Sequence, residues 1–304
     1  MELGVAVPYL EDEIKILLDY GLLKLMQNGR YQTNMFIYTK SCDEDIELKT
    51  KNLYKGMAKK LIDFIDKKYD EIKKLVFKDE NVSQNKVRWF SSSIILFNSC
   101  VSGDKEWPAL AKGGTGYLFG HNENHGEYMA KAKIKGVMGG LGSDYYSGSA
   151  RAVNYKQLEN CQVNICGQNR RDIDMLLGAA HGDLTRFTPD EIAQYLQWRF
   201  IEKDKDGDFY KPLFPVLTWD EEGRLFEIIS DGIGEMRDVE VEALPVIINV
   251  MENHAPDAVK DQLENLAIIH DDFDAMANVI EDLCADGYLI IPTQHEFLTI
   301  YAVI

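Results

Sequence analysis

Residues 2–40 read ELGVAVPYLEDEIKILLDYGLLKLMQNGRYQTNMFIYTK, and the reading of this stretch decides the class of the chain. Gly4-Val5-Ala6 marks a short turn. Leu10, Ile14, Leu17 and Leu18 then recur at the i, i+4, i+7, i+8 spacing of a core-facing helix. Pro8 suits the first helical turn, where its missing N–H costs nothing. Gly21 supplies the left-handed residue that ends the helix. Beyond it, Leu22-Leu23-Lys24-Leu25 and Tyr31 to Thr39 are expected to pair as a hairpin, with Asn28-Gly29 as the turn signal.

Working outward, the 304 residues exceed what a single core usually takes, so two or three domains are expected. Hydrophobic residues make up 45% and charged residues 27%, ordinary values for a globular chain. No apolar run approaches the ~18 residues of a membrane helix. No basic segment followed by an apolar core opens the chain, so the expectation is a cytoplasmic protein with no membrane partner. Five cysteines (Cys42, Cys100, Cys161, Cys166, Cys284) include no Cys-x-x-Cys pair, and the spacing of Cys161 and Cys166 is not a zinc spacing. All five are expected to be reduced, mostly buried thiols. The net charge of −17 argues against a chain-wide affinity for nucleic acid, which would then need a local basic patch. It favours a protein or small-molecule partner.

From Asp43 to Phe77 the pattern predicts one long helix, with Leu53, Met57, Leu61, Phe64 or Ile65, Ile72, Leu75 and Val76 inside and lysines mostly on the solvated face. A second, more apolar helix is expected over about Gln84 to Cys100. Glycine then becomes frequent from Gly113 to Ser149, and short runs at Thr115 to Phe119, Ala132 to Met138 and Ala150 to Tyr155 read as antiparallel strands. Gly136 to Gly142 lacks the Lys-Ser/Thr of a phosphate loop and the spacing of a dinucleotide loop. His121 and His125 lie in a polar, glycine-bounded loop without a third ligand. Asn169 to Ala180 and Pro189 to Lys203 read as helices, the second opened by a Thr188/Glu191 capping box. Asp204 to Asp208 has no glutamate where a calcium loop would close. It is read as a turn into a strand over Phe209 to Trp219, which Asp220 to Gly223 would fold back onto Arg224 to Ile229 as a hairpin. Helices follow at Val239 to Asn253, Pro256 to Ile268 and Asp272 to Ala285, then Gly287 to Ile291 and Phe297 to Ile304 as a terminal hairpin.

Glu2-Leu3-Gly4-Val5, Val7 to Ile14, Leu17 and Gly21-Leu22-Leu23, followed by a glycine-turned hairpin, resemble bacterial winged helix-turn-helix transcriptional regulators over about 40 of the 304 residues. The resemblance implies that the start of the helix enters the major groove and that the wing touches phosphates. It places Val7, Pro8, Tyr9, Glu11, Asp12 and Lys15 on the helix and Asn28, Arg30 and Gln32 on the wing. Only Met1-Glu2-Leu3 stands before the turn, so the sequence as given is expected to lack the front of the motif. Glu11, Asp12 and Glu13 also stand where a groove-reading helix carries cationic or amide side chains, offset only by Lys15, Lys24 and Arg30.

The expected fold is α+β: a partial winged helix-turn-helix over 1–41, a helical connector over 42–101, an antiparallel-β-rich effector or interaction domain over 102–230, and C-terminal helices with a terminal β-hairpin over 231–304. The last segment repeats the order helix, glycine stop, hairpin, so a second winged-helix-like unit there is one reading and a plain helical domain the other. Its Asp271, Asp272, Asp274, Glu281 and Asp282 read as an acidic surface. The expected function is transcription regulation through DNA contact by residues 1–40. The alternative is a ligand-sensing or protein-interaction protein without DNA contact, whose partner is a second copy or the transcription machinery. Candidate DNA-contact residues are Val7, Pro8, Tyr9, Lys15, Asn28, Arg30 and Gln32. A ligand pocket would be lined by Trp107, Tyr117, Phe119, Tyr145, Tyr146 and Trp198. No catalytic residue, metal or cofactor is expected.

Overall fold

The computed structural model describes residues 11–33, 36–78, 80–101, 119–121, 134–135, 149–152, 154–155, 170–204, 207, 209–255, 257–293, 296 and 298–303. Helices alternate with small two- and three-stranded sheets, an α+β composition. The chain divides into two compact units. Unit 1 comprises Met1–Lys55, Cys100–Ala132 and Arg237–Ala275; unit 2 comprises Gly56–Ser99, Lys133–Met236 and Met276–Ile304. This division runs across the four consecutive segments marked out in the sequence.

Unit 1 begins with α1 (Glu11–Asp19) and a hairpin of β1 (Leu23–Leu25) and β2 (Tyr31–Thr33), paired with Leu25 opposite Tyr31. The strand expected from Tyr31 to Thr39 is split: β3 (Phe36–Tyr38) pairs in parallel with β4 (Phe119–His121) instead. The helix α2 (Lys40–Ile72) follows, belongs to unit 1 as far as Lys55 and to unit 2 from Gly56, and ends in one π-turn, Lys73–Phe77. Met57, Leu61, Phe64, Ile65, Ile72, Leu75 and Val76 are buried along it, as the periodicity predicted.

In unit 2, α3 (Gln84–Ser99) is apolar enough that ten consecutive or near-consecutive residues from Val87 to Ser99 are buried. Its Asn85 amide bonds both backbone groups of Ile290, and Trp89 Nε1–H donates to the same carbonyl at 3.0 Å. β5 (Ile134–Lys135) pairs antiparallel with β7 (Asn154–Tyr155), and β6 (Ser149–Ala152) lies between them in sequence. The helices α4 (Arg170–His181) and α5 (Pro189–Gln197) precede an antiparallel pair, β8 (Ile201–Lys203) and β9 (Tyr210–Pro212). The helix expected over 189–203 thus stops at Gln197. The strand expected over 209–219 is interrupted at Leu213 and resumes as β10 (Val216–Leu217).

The expected hairpin at 220–229 is absent, because those residues belong to α6 (Trp219–His254). Thr218 and Glu221 form a reciprocal cap: Thr218 N–H donates to Glu221 Oε2 at 2.9 Å, and Glu221 N–H donates to Thr218 Oγ1 at 3.2 Å. Lys78 Nζ holds the same carboxylate at 2.7 Å. Thr218→Ala is expected to lower stability by about 1 kcal/mol, measured as a reduced urea midpoint with an unchanged slope. Pro245 stays inside α6 at an exposed position, where its ring removes one helical hydrogen bond.

After a 3-10 turn (Asp257–Gln262), α7 (Leu263–Ala285) runs unbroken through the acidic residues 271–274. The terminal strand β11 (Ile300–Val303) pairs antiparallel with β6 and parallel with β10. The terminal hairpin expected between 287–291 and 297–304 is therefore replaced by a three-stranded sheet of order β10-β11-β6. Among the described residues, no helix is long and apolar enough to cross a membrane.

Four helix ends share one geometry. In α1, α4, α5 and α7 the residue after the cap takes a positive φ, and two backbone N–H groups fold back onto the last turn. Gly21, Gly182 and Gly287 occupy that position with φ of 71°, 72° and 73°. At the end of α5 it is Arg199, with φ 61°. A side chain there is disfavoured by roughly 1–2 kcal/mol.

Candidate functional site

The N-terminal module is built from α1 and the β1–β2 hairpin. Gly21 N–H donates to Leu18 O at 3.0 Å and Leu22 N–H to Leu17 O at 2.8 Å, which turns the chain from helix into strand. Gly29 N–H donates to Met26 O at 2.9 Å, and Met26 N–H to Arg30 O at 2.8 Å. With Gly29 at φ 75°, this is a three-residue loop closed by a glycine bulge. Asn28 Oδ1 accepts from Arg30 N–H at 3.0 Å and so shapes the loop from within.

Of the candidate DNA-contact residues, Val7, Pro8 and Tyr9 lie outside the described residues. Lys15 is exposed on α1, Asn28 and Arg30 are exposed in the loop, and Gln32 is half-buried opposite Lys24. The same module exposes large apolar side chains: Ile16 53%, Tyr20 49%, Leu25 55%, Met26 38% and Tyr31 43%. Asp12, Glu13 and Asp19 are exposed beside them on α1.

Of the candidate pocket residues, Phe119 and Trp198 fall among the described residues. Trp107, Tyr117, Tyr145 and Tyr146 lie outside the described residues. Phe119 sits on β4 opposite Phe36 in unit 1. Trp198 belongs to unit 2, at the C-terminal cap of α5, 40% exposed and edge-on to Tyr195 at 5.5 Å.

A buried polar network in unit 1 escaped the sequence reading. Asp271 and Asp272, read as surface, are 0% and 3% exposed. Tyr54 Oη donates to Asp271 Oδ1 at 2.5 Å, and Val101 N–H donates to Asp272 Oδ1 at 2.8 Å. His270 lies between Asp43 (3.5 Å) and Asp274 (3.3 Å), with its ring 4.8 Å from that of Tyr38. Burial raises the Asp271 carboxyl well above the carboxylate range, against the Tyr54 hydrogen bond and with the help of Glu240, Asp272 and Asp274. Burial works against the His270 imidazolium, but Asp274 and Asp43 outweigh it and its pKa is raised. Burial also pushes the Cys42 thiol up to about 12, reinforced by Asp43 and Asp45, and raises that of Cys100. Neither thiol is a nucleophile at neutral pH. No local signal marked these residues as buried, because Tyr54 and Val101, which hold Asp271 and Asp272, are distant in sequence. Among the described residues, no group of three or more His, Cys, Asp or Glu side chains is arranged to hold a metal ion.

Comparison of the chain with known protein families, curated proteins and solved structures finds no match.

Proposed function

We propose that the chain is a transcription regulator of winged-helix type whose N-terminal module contacts a protein of the transcription machinery. The observation that supports this is the order α1, left-handed glycine, glycine-turned hairpin, presented with exposed Ile16, Tyr20, Leu25, Met26 and Tyr31 beside exposed carboxylates. Phosphates repel Asp12, Glu13 and Asp19, whereas a basic and apolar protein surface complements all of these groups. Direct DNA contact by this module is the competing reading, and Lys15, Lys24 and Arg30 are the residues that would carry it.

The test is transcription in vitro with RNA polymerase from the source organism on a library of its own promoters. The parent chain is expected to change transcript levels at a subset of promoters. Ile16→Asp combined with Tyr20→Asp is expected to abolish that change, while Lys24→Ala with Arg30→Ala preserves it. The reverse pattern assigns the module to DNA, and no effect of the parent at any promoter sinks the regulator reading.

A further inference from the structure

Carboxyl groups from three helices meet one imidazole inside unit 1. Asp43 comes from α2, Glu240 from α6, and Asp271, Asp272 and Asp274 from α7, with His270 beside them. Asp43, Glu240, Asp271 and Asp272 are each at most 9% exposed, so water does little to screen them from one another.

The same groups tie together segments that are distant in the chain. Tyr54 Oη of α2 donates to Asp271 Oδ1. His270 stands between Asp43 Oδ1 of α2, 3.5 Å from its Nε2, and Asp274 Oδ2, 3.3 Å from its Nδ1. Val101 N–H donates to Asp272 Oδ1 at 2.8 Å, which fastens residues 100–101 to α7. Tyr38 of β3 donates to Leu266 O at 3.2 Å and sets its ring against that of His270.

Two of these ties depend on a proton. Asp271 Oδ2 has no hydrogen-bond partner among the described residues. Facing this carboxyl are Tyr54 from α2, Glu240 from α6, Asp272 and Asp274 from its own helix, and the Cys100 thiol. Ionised, Asp271 would place a buried negative charge beside three other carboxyl groups, so the closed arrangement suits the neutral acid. His270 depends on its proton in another way. Facing it are Asp43 from α2, Asp274 from α7 and the Tyr38 phenol from β3. Both ring nitrogens look at carboxylate oxygens. The imidazolium donates to both, whereas a neutral ring has one N–H and turns a lone pair on the other carboxylate.

We propose that this cluster is a pH-operated latch on unit 1, which holds α2, α7 and residues 100–101 together while Asp271 and His270 carry protons and releases them when those protons leave. Both raised folded-state values give the same sign, since the closed form binds more protons than the open one and opens as pH rises. Opening uncovers Cys42, one residue from Asp43, and Cys100, one residue from Val101. Unit 2 holds none of these groups and stays closed. The latch does not depend on the function assigned to the N-terminal module.

The experiment is alkylation of the full chain with iodoacetamide from about pH 6 to about pH 9, a range that spans the ordinary imidazole and thiol values. The label on each cysteine is read by peptide mass spectrometry. An accessible thiol below its pKa reacts about tenfold faster per pH unit, as its thiolate fraction grows. Cys284 of unit 2, half-buried, is expected to follow that slope. Cys42 is 0% exposed and reacts only from the open state. Each proton released on opening therefore adds about another tenfold per pH unit, for roughly a hundredfold or more inside the window. Cys100, half-buried, is expected to steepen in the same direction by less. Asp271→Asn keeps an acceptor for Tyr54 and cannot ionise, so it is expected to lower the Cys42 slope by about tenfold per unit. His270→Gln is neutral at every pH and is expected to label Cys42 at least about tenfold faster than the parent at the acid end, with Cys284 unchanged. The proposal is overturned if Cys42 follows the slope of Cys284, if Cys284 accelerates in step with Cys42 because the whole chain unfolds, or if the two variants label like the parent.

Discussion

Trp89→Ala is expected to destabilise the protein by about 3–5 kcal/mol, the range for removing a large aromatic ring from a core. Trp89 is 0% exposed and is among the largest fully buried side chains. It also anchors the chain beyond α7, since its indole N–H reaches Ile290 O, where Asn85 Nδ2 arrives at 2.8 Å. Truncation therefore leaves a cavity and loosens Leu289 to Ile291 as well. The measurement is the urea midpoint followed by far-ultraviolet circular dichroism. Trp89→Phe separates the two contributions, because it keeps most of the ring and removes only the donor. Its cost should be closer to the ~1 kcal/mol of one hydrogen bond plus a partial cavity. A midpoint for Trp89→Ala within error of the parent would contradict the packing described for α3.

A second large effect is expected from pH. Asp271 and His270 both have raised folded-state pKa values, so the native protein holds more protons than the unfolded chain across the neutral range. Stability then falls as pH rises. For Asp271 the fall begins near the ordinary carboxylate value and continues to its raised folded value. For His270 the contribution is complete below the ordinary imidazole value and is lost as pH passes the folded value. Each proton contributes up to about 1.4 kcal/mol per pH unit inside its window. The thermal midpoint is expected to drop between pH 6 and pH 8. Asp271→Asn cannot ionise and still accepts from Tyr54, so its profile should be flatter than that of the parent. A parent profile that is level or rising over this range would show that the two groups are not held as described.

What was legible in the sequence followed from periodicity and caps. The stripe of α2, the apolar run of α3 and the Thr188 capping box are local signals that tertiary contacts only reinforced. The misreadings have separate causes. Asp220 to Gly223 looked like a turn because Gly223 follows three acidic residues there, but the decisive residue was Thr218, which caps α6 through Glu221. Reading α5 on to Lys203 hid the turn at Arg199, because the apolar spacing of Tyr195, Phe200 and Ile201 suits a helix and a following strand equally. That single error concealed the hairpin of β8 and β9. Asp271 and Asp272 were misplaced for a different reason: charge predicts exposure unless partners wait in the core, and those partners, Tyr54 and Val101, are 217 and 171 residues away.

Such distances bear on how the protein is made. Tyr38 Oη donates to the carbonyl of Leu266, 228 residues downstream. A ribosome adding about 5–20 residues per second needs roughly 10 to 50 seconds to cover that interval. The last segment of unit 1 ends at Ala275 and that of unit 2 at Ile304, so neither unit is complete while the chain is still short. The apolar side of α2 emerges early and waits without its final partners, exposed to nascent neighbours and to proteases. Loss of the last helix and strand would remove residues from both units at once.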